Sequence, residues 1–331
     1  MGIFVDAHSD ILNDIHPRRL LGEKAVLANY WLPKMKKGQI DLRVVAIYSD
    51  SQYLPELALR RGLDLIATLY EEIEESPEAV LCTKYEDILG AKEEGKIGFI
   101  LGLEGSEPLG CDLQLLRIFH ALGLRVLGLT HALRTYIADG SFLTPRKMGQ
   151  PGGLTDVGVR FLEAAQSLGI LIDVSHLNDP GFWDVIKFSK APVIASHSNC
   201  RALLDHPRNL TDEQIKAVAD SGGVVGVNAC SLFVQPPDLD HLLDHIDHLV
   251  KVGGMEHVGL GPDFADYLVQ YMTEGERARL PLDGIQPVAG LDGDEDFFKI
   301  AEALARRNYS QRQVDLVMGE NFLRVFKAVF K

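Results

Sequence analysis

The sequence is poor in the features that mark several protein classes. It has only four cysteines among 331 residues, and because none stands in a CxxC pair, reduced thiols are expected rather than a disulfide framework. Lysine and arginine number 33 against 47 acidic residues, a formal net charge of −14, which disfavours nucleic acids and anionic membranes as partners. The longest apolar runs are far shorter than a membrane span.

Several sequence motifs are missing as well. No GxSxG nucleophile elbow and no P-loop occurs, which argues against the common serine hydrolases and nucleotide-binding enzymes. The N-terminal segment MGIFVDAHSD begins an apolar strand at once, without the basic and apolar regions of a signal peptide. Together with the reduced thiols, this indicates a cytoplasmic protein.

The chain does contain a series of short apolar runs that alternate with helical segments. Most runs are apolar throughout, which is typical of parallel strands buried on both faces. The predicted strands are about Ile3–Asp6, Leu42–Tyr48, Gly98–Leu103, Arg125–Thr130, Leu171–Val174, Pro192–Ser196, Val224–Asn228 and His257–Gly261. The predicted helices include Pro55–Ser76, Thr155–Leu168, Thr211–Ser221, Glu295–Arg307 and Ser310–Phe330.

This alternation predicts an α/β fold, a (β/α)8 barrel of the TIM type. A doubly wound open sheet is the alternative, but it would gather its site at one switch point. Length alone would allow two domains, whereas we expect one barrel domain over residues 1–331. Two Gly- and Pro-rich segments, about 132–153 and 266–294, are predicted rim loops that carry substrate-binding parts.

Histidine and acidic residues recur where the predicted strands end. The carboxyl ends of barrel strands meet at one rim, so these side chains should converge. Imidazoles and carboxylates without cysteine suit a hydrolytic zinc-type centre. The residues are His8, Asp10, Glu104, His131, His176, His197 and Asp263.

Some of these residues carry a specific expectation. His8 and Asp10 are two apart and can share one face of a strand. Glu104 ends an apolar run, where an ionised carboxylate needs a partner such as a cation. Arg208, in the segment HPRN, either binds a carboxylate through its planar guanidinium or is an exposed surface arginine. Each histidine alone would more often be structural, and their recurrence at strand ends favours metal binding.

The segment DHLLDHIDHL also looks like a metal site. Its leucines and isoleucine form a helical stripe that occupies the buried face. His241, His245 and His248 are therefore expected on the solvent side of that helix.

In chain order, the sequence motifs resemble those of the membrane (renal) dipeptidases, peptidase family M19, which are binuclear zinc enzymes. The resemblance covers essentially the whole chain. The motifs are DAHSD (6–10), LGLEG (101–105), LTH (129–131), LGILIDVSH (168–176), APVIASHSNCRAL (191–203), HPRNLTDEQI (206–215), GLGPDF (259–264) and NFLRVF (321–326).

The resemblance implies a (β/α)8 barrel that holds two divalent metal ions, expected to be zinc. It implies that His8 and Asp10 hold one ion, that His176 and His197 hold the other, and that Glu104 bridges them. The substrate would be a free dipeptide, and many family members accept a D-residue at its second position.

The resemblance also implies roles towards the substrate. His131 would polarise the peptide carbonyl or stabilise its oxyanion, Arg208 would bind the C-terminal carboxylate, and Asp263 would exchange a proton with water and the leaving amine. Phe233 falls where the family has a substrate-side tyrosine, so that hydroxyl is missing. The chain shows neither the secretion signal nor the lipid anchor of the animal enzymes. A soluble bacterial-type member is therefore expected, and a homodimer is left open.

Two other functions compete with a dipeptidase. One is another amidohydrolase-type reaction on an N-acyl amino acid, a cyclic amide or a lactone. Those relatives often use an HxH pair and a modified lysine, whereas this chain has HxD and Glu104. The other is a metal-bound protein that binds without turnover, although every expected catalytic group is present.

Overall fold

The structure is a computed structural model that describes residues 2–141, 149–272, 274–277 and 285–331. Its strands are β1 (Val5–Ser9), β2 (Leu42–Tyr48), β3 (Ala79–Leu81), β4 (Ile97–Glu104), β5 (Leu124–Gly128), β6 (Leu171–Asp173), β7 (Val193–Ala195), β8 (Val224–Val227) and β9 (Val258–Leu260). Within the described residues all strands run parallel and form one sheet, in the order β1-β2-β4-β5-β6-β7-β8-β9, and β3 pairs with β4 outside this order. Because β9 lies beside β1, the eight-strand barrel is nearly closed, which confirms the predicted fold class.

Helices follow most of the strands. The α-helices are α1 (Leu12–Leu20), α2 (Leu32–Lys37), α3 (Ala58–Glu74), α4 (Tyr85–Glu93), α5 (Leu113–Ala121), α6 (Asp156–Ser167), α7 (Asp179–Phe188), α8 (Asp212–Asp220), α9 (Leu239–Gly253), α10 (Glu274–Arg277), α11 (Phe298–Arg306), α12 (Gln311–Asp315) and α13 (Asn321–Val329). Short 3₁₀ turns span Ser51–Tyr53, Glu107–Leu109, Met255–His257, Asp266–Tyr271 and Asp294–Asp296, and π turns span Leu27–Trp31 and Leu316–Glu320. No helix among the described residues is long and apolar enough to cross a bilayer.

Both faces of the barrel strands are buried, as their apolar sequences predict. In β2, Leu42 and Val44 belong to an apolar cluster with residues of the other barrel strands, whereas Val45 and Ile47 belong to the cluster that contains Leu65 of α3. Alternate residues of a strand point to opposite faces, so a strand covered on both sides must be apolar throughout.

Most predicted elements agree with the observed ones to within three residues at each end, and three differences have a physical reason. β1 begins and ends later than predicted, because its pairing with β2 starts at Val5. β3 was not predicted, since three residues beside β4 give almost no periodicity. The predicted helix Ser310–Phe330 is broken at Gly319, where a Cβ atom would lie 1.9 Å from the carbonyl oxygen of Ile3.

The prediction for the histidines of α9 is wrong at one position. His245 is buried, and its Nδ1 atom accepts a hydrogen bond from the Cys200 backbone N–H at 3.1 Å. The helix packs against α8 and α11 as well as the barrel, so its buried face is wider than the apolar stripe. All four cysteines are free.

A fully buried ion-pair network joins β2 to the chain that enters α11. Arg43 donates from Nε to Asp6 at 2.9 Å and from its two terminal nitrogens to Asp294 at 2.7 and 2.6 Å. The guanidinium is therefore the cation between two buried carboxylates, which would otherwise repel each other across an apolar interior.

We expect Arg43→Met to reduce the free energy of unfolding by about 3–5 kcal/mol, the usual effect of removing one partner from a buried pair. Urea unfolding followed by circular dichroism measures this change. Arg60→Met is the matched control, because Arg60 is exposed and, among the described residues, pairs with Asp64 on the same helix, so it should change stability little. Equal unfolding midpoints for the two variants would show that the network does not stabilise the fold.

Candidate metal centre and substrate cavity

The polar residues predicted from strand ends do converge on one rim of the barrel. His8 lies within β1, and Asp10 follows that strand directly. Glu104 is the last residue of β4. The others follow the ends of β5, β6, β7 and β9 by two or three residues: His131, His176, His197 and Asp263.

One carboxylate oxygen lies at the centre of the histidines. Glu104 Oε1 is 2.9 Å from His176 Nε2, 3.5 Å from both His8 Nε2 and His197 Nε2, and 4.0 Å from His131 Nε2. The Nε2 atoms of His176 and His197 are 2.9 Å apart. Four imidazole nitrogens thus surround a single oxygen, which is the arrangement that a shared metal ligand requires.

A second group of possible ligands adjoins the first. His8 Nε2 is 3.7 Å from Asp10 Oδ2 and 3.9 Å from Asp263 Oδ1. The other oxygen of Asp263 accepts a hydrogen bond from Asn228 Nδ2 at 3.0 Å. The sequence places Asp263 among the rim residues of a zinc-type centre and assigns it proton transfer and substrate contact, whereas the geometry also makes it a candidate metal ligand.

These residues fit a divalent metal ion. Within the described part of the chain, the buried atoms His8 Nε2 and Asp10 Oδ1 have no hydrogen-bond partner. Burying such atoms without a partner is costly, and a cation placed among them would satisfy both. The nitrogen and oxygen donors, without sulfur, suit zinc and related divalent ions.

Electrostatics without a metal ion show how strongly the site attracts positive charge. Burial, reinforced by the charge of Asp10, raises the pKa of Glu104 well above its usual range. Burial alone would lower the pKa of His8, but the carboxylates of Glu104, Asp10 and Asp263 outweigh it and raise the pKa to about 10. A bound cation would take the place of these protons.

The other two inner histidines have the opposite tendency. Burial, together with nearby positive charge, lowers the pKa of His176 and of His197 well below the usual value. They are therefore neutral at physiological pH, which is the form that binds metal ions.

The His197 ring is held by a further pair of residues. Ser196 Oγ donates to Asp173 and lies 2.7 Å from His197 Nδ1. Because the serine proton is used on the carboxylate, Nδ1 must donate to the serine oxygen. The Nε2 lone pair then faces the centre of the site, as for a metal-bound histidine.

Two of the five described non-glycine residues with a left-handed backbone lie at this site. His176 and Asp263 have φ values of 69° and 55°, in the left-handed region. Residues other than glycine rarely adopt this conformation, and it clusters at functional sites.

Arg208 lies beside the metal centre and is almost fully buried. One terminal nitrogen donates to the backbone oxygen of His197 at 3.1 Å, and the guanidinium lies 5.6 Å from the centre of the Phe233 ring. Burial lowers the pKa of Arg208 to about 10, so the side chain remains a cation at neutral pH. Its Nε atom has no hydrogen-bond partner among the described residues, which suits an anion-binding position.

A cavity of about 190 Å³ opens above the centre. Asp10, Glu104, His131, His176 and Asp263 reach its wall, and so does Phe233. Both predicted rim segments contribute to it through Ala132, Leu133, Leu268, Tyr271, Met272 and Ile285. Residues 142–148, 273 and 278–284 of those segments lie outside the described residues.

Sequence reasoning missed several residues of this wall. Tyr48 packs on His131 with ring centres 4.6 Å apart, and Asn13, Asp50 and Glu107 also line the cavity. Asp50 could have been found, because it stands just after the predicted strand Leu42–Tyr48, at the same rim as the other site residues.

Comparisons with known proteins agree with this geometry. Residues 2–278 match the family model of membrane dipeptidase, peptidase family M19. An uncharacterized dipeptidase of Schizosaccharomyces pombe is 30% identical over 98% of this chain and 79% of its own. A Klebsiella pneumoniae protein from the pqqA 5′ region, itself uncharacterized, is 33% identical over 76% of this chain and 89% of its own.

Among solved structures, a metallopeptidase from Rhodobacter sphaeroides is similar throughout. It is 25% identical, has a TM-score of 0.86, and the match covers 99% of this chain and all of that chain. That enzyme was crystallised with a phosphinate mimic of the dipeptide L-Ala-D-Ala.

Proposed function

The chain belongs to the membrane dipeptidase family, peptidase family M19, and on this basis we propose that it hydrolyses the peptide bond of free dipeptides at a binuclear metal centre. The observation that carries the proposal is the position of Glu104 Oε1 within 4.0 Å of four imidazole nitrogens. The buried, positively charged guanidinium of Arg208 lies beside this group and can pair with a free C-terminal carboxylate.

We assign the metal ligands as the family resemblance implies, and the geometry adds Asp263 beside His8. His8 and Asp10, with Asp263 beside them, would hold one divalent ion, His176 and His197 would hold the other, and Glu104 would bridge the two. Bound ions of this kind lower the pKa of a shared water and polarise a carbonyl oxygen. Zinc is our proposed metal, because the donors are imidazole and carboxylate groups in a hydrolytic site.

The remaining residues would position the dipeptide and move its proton. His131 stands on the cavity wall with its Nε2 atom 4.0 Å from Glu104 Oε1, where it can donate to the carbonyl oxygen of the peptide. Arg208 would bind the terminal carboxylate, and Phe233 would pack beside it. Asp263 would accept a proton from water and return it to the leaving amine.

Two finer features also belong to the proposal. The phosphinate mimic of L-Ala-D-Ala bound by the Rhodobacter sphaeroides enzyme supports a substrate with a D-residue at its second position. The four free cysteines support a cytoplasmic location. The homodimer left open by the sequence stays a prediction.

A substrate panel with zinc-loaded protein tests the function and the role of Arg208 together. We expect hydrolysis of L-Ala-L-Ala and L-Ala-D-Ala, and a kcat/KM about 10²-fold lower when the C-terminal carboxylate is an amide, because a charge-assisted pair is lost. Arg208→Met should reduce kcat/KM for the free dipeptides by a similar factor, have little further effect on the amides, and leave the metal content unchanged.

The control is Arg160→Met, because Arg160 is exposed on α6 and its recorded ion pair is with the exposed Asp156 of the same helix. It should leave kcat/KM unchanged. Turnover of N-acyl amino acids, cyclic amides or lactones without any turnover of dipeptides would replace the proposal with another amidohydrolase reaction. Equal rates on the free dipeptides and their amides would remove Arg208 from substrate recognition.

A further inference from the structure

Asp50 is an acidic residue of the cavity wall that the metal centre does not use. It follows β2 on the rim and lines the cavity. Its Oδ2 atom accepts hydrogen bonds from Arg61 at 3.2 Å and from Asn13 Nδ2 at 3.4 Å. Arg61 is itself buried, and its guanidinium lies 4.7 Å from the centre of the Tyr53 ring. These contacts fix the orientation of the carboxylate in the wall.

By strand order, the segments that carry Asp50 and Arg208 follow strands on opposite sides of the barrel. In the ring of eight strands, β2 and β7 are separated by three strands in either direction. Asp50 follows β2, and Arg208 lies in the segment after β7. On the Asp50 side, the backbone N–H of Asn13 donates to the carbonyl oxygen of Asp10 at 2.8 Å, so Asp50 stands next to the turn that carries a metal-ligand candidate.

A free dipeptide has the matching distribution of charge. Two extended residues span about 7 Å, with a carboxylate at one end and an ammonium group at the other. If Arg208 holds the carboxylate, the peptide bond lies over the metal centre and the ammonium group points to the opposite rim. No lysine or arginine lines the described part of the cavity wall. Arg208 lies next to the wall residue Phe233, so the carboxylate would reach it beside that ring.

Glu107 is the other acidic side chain of the wall outside the metal centre, and it fits this role less well. It lies close to the Gly105 backbone, since a Cβ atom there would be 2.1 Å from Glu107 Oε2. It also follows β4, which is not opposite β7 in the ring. Burial raises the pKa of Glu107 to about 7, so it is protonated in part of the molecules at neutral pH.

We propose that Asp50 binds a positively charged group on the N-terminal residue of the substrate. The proposal rests on the dipeptidase function proposed above and completes it: recognition of both charged ends would explain a restriction to two residues. The positive group has two sources, the α-ammonium group that every free dipeptide carries, or the side chain of an N-terminal lysine or arginine.

Asp50→Asn tests the proposal, because asparagine keeps the shape of the side chain and can still accept from Arg61. With zinc-loaded protein, kcat/KM is measured for L-Ala-D-Ala and for propanoyl-D-alanine, which lacks the amino group. It is also measured for L-Lys-D-Ala and for L-norleucyl-D-Ala, which lacks the side-chain charge. We expect Asp50→Asn to reduce kcat/KM for L-Ala-D-Ala by about ten- to hundredfold and to leave propanoyl-D-alanine unaffected.

The pattern across substrates identifies the source of the charge. If Asp50→Asn lowers kcat/KM for L-Ala-D-Ala but not for propanoyl-D-alanine, the α-ammonium group is the source. If it lowers kcat/KM only for L-Lys-D-Ala, relative to L-norleucyl-D-Ala, the charged side chain is the source. An equal loss on all four substrates, or no loss on any of them, overturns the proposal, because a purely structural effect cannot distinguish substrates that differ in one charge.

Two further measurements separate the possible failures. Glu107→Gln removes another carboxylate from the same wall, and if it produces the same discrimination, the field of the whole cavity and not Asp50 recognises the charge. Calorimetric binding of the phosphinate mimic of L-Ala-D-Ala, with and without its amino group, needs no turnover. If the wild type hydrolyses none of the dipeptides, the proposed dipeptidase function is wrong. The role of Asp50 is still supported if the wild type binds the mimic with the amino group at least tenfold more tightly than the mimic without it, and if Asp50→Asn abolishes this difference.

Discussion

Glu104→Ala should leave the protein unable to hold two metal ions. The kcat/KM for dipeptides should fall by on the order of 10³-fold or more, because metal catalysis contributes several kcal/mol and each 1.36 kcal/mol is a factor of ten. The reason is the position of Glu104 Oε1, which is within 4.0 Å of the Nε2 atoms of four histidines. Among the described residues no other carboxylate oxygen is recorded at such distances from His176 and His197, so an ion bound by those two histidines would lose its only anionic ligand.

Metal analysis after gel filtration measures the first effect, and kcat/KM for L-Ala-D-Ala measures the second. Glu107→Ala is the matched control, because it removes a carboxylate three residues further along the same chain segment that lines the same cavity. It should retain both ions. An active Glu104→Ala variant that retains two tightly bound ions would refute the bridge.

The site could be predicted largely from one regularity of the sequence. A parallel strand buried on both faces is apolar throughout, so a histidine or carboxylate at its end is conspicuous, and in a barrel all such ends share one rim. His8, Asp10, Glu104, His176 and His197 were identified in this way, and the structure brings them together. Their roles as ligands stay predictions until metal is measured.

The residues that were missed depend on contacts that no local pattern records. Asp50 follows a predicted strand and could therefore be placed on the rim, but its position in the cavity wall depends on the buried Arg61 and on Asn13. The pairing of Arg43 with Asp294 joins residues 251 positions apart. His245 was assigned to solvent because the apolar stripe accounts for only one face of its helix, whereas α8 and α11 cover more of it.

The same limit applies to Asp263. The sequence predicts that it lies on the rim, but not which residues contact its two oxygens. In the structure, Oδ2 accepts from Asn228 Nδ2 at 3.0 Å, while Oδ1 faces His8 Nε2 at 3.9 Å. The two oxygens therefore have different roles. Oδ2 is fixed by the side-chain amide of Asn228, whereas Oδ1 can bind a metal ion or accept the proton that is transferred. Burial raises the pKa of this carboxyl to about 6 without metal, and neighbouring cations would favour its ionised form.

Asp263→Asn should separate these tasks. The asparagine must present an acceptor to Asn228, so its oxygen takes the place of Oδ2 and its NH₂ group faces His8 and the ion. We therefore expect weaker binding of the ion held by His8 and Asp10, and excess zinc should restore two ions per chain. The kcat for L-Ala-D-Ala should nevertheless stay at least about 10²-fold below that of the wild type, the low end of a general acid–base contribution.

The decisive measurement is kcat as a function of zinc concentration, with metal content determined at each point. Asn228→Ala provides the control, because it removes the hydrogen bond to Oδ2 and keeps the carboxylate, so it should lose far less activity than Asp263→Asn. The amide anion is too poor a leaving group to depart without a proton, and the inner histidines are assigned to the metal ions or, for His131, to the carbonyl oxygen. If saturating zinc restores the kcat of Asp263→Asn to within tenfold of the wild type, Asp263 is a metal ligand only and another group moves the proton.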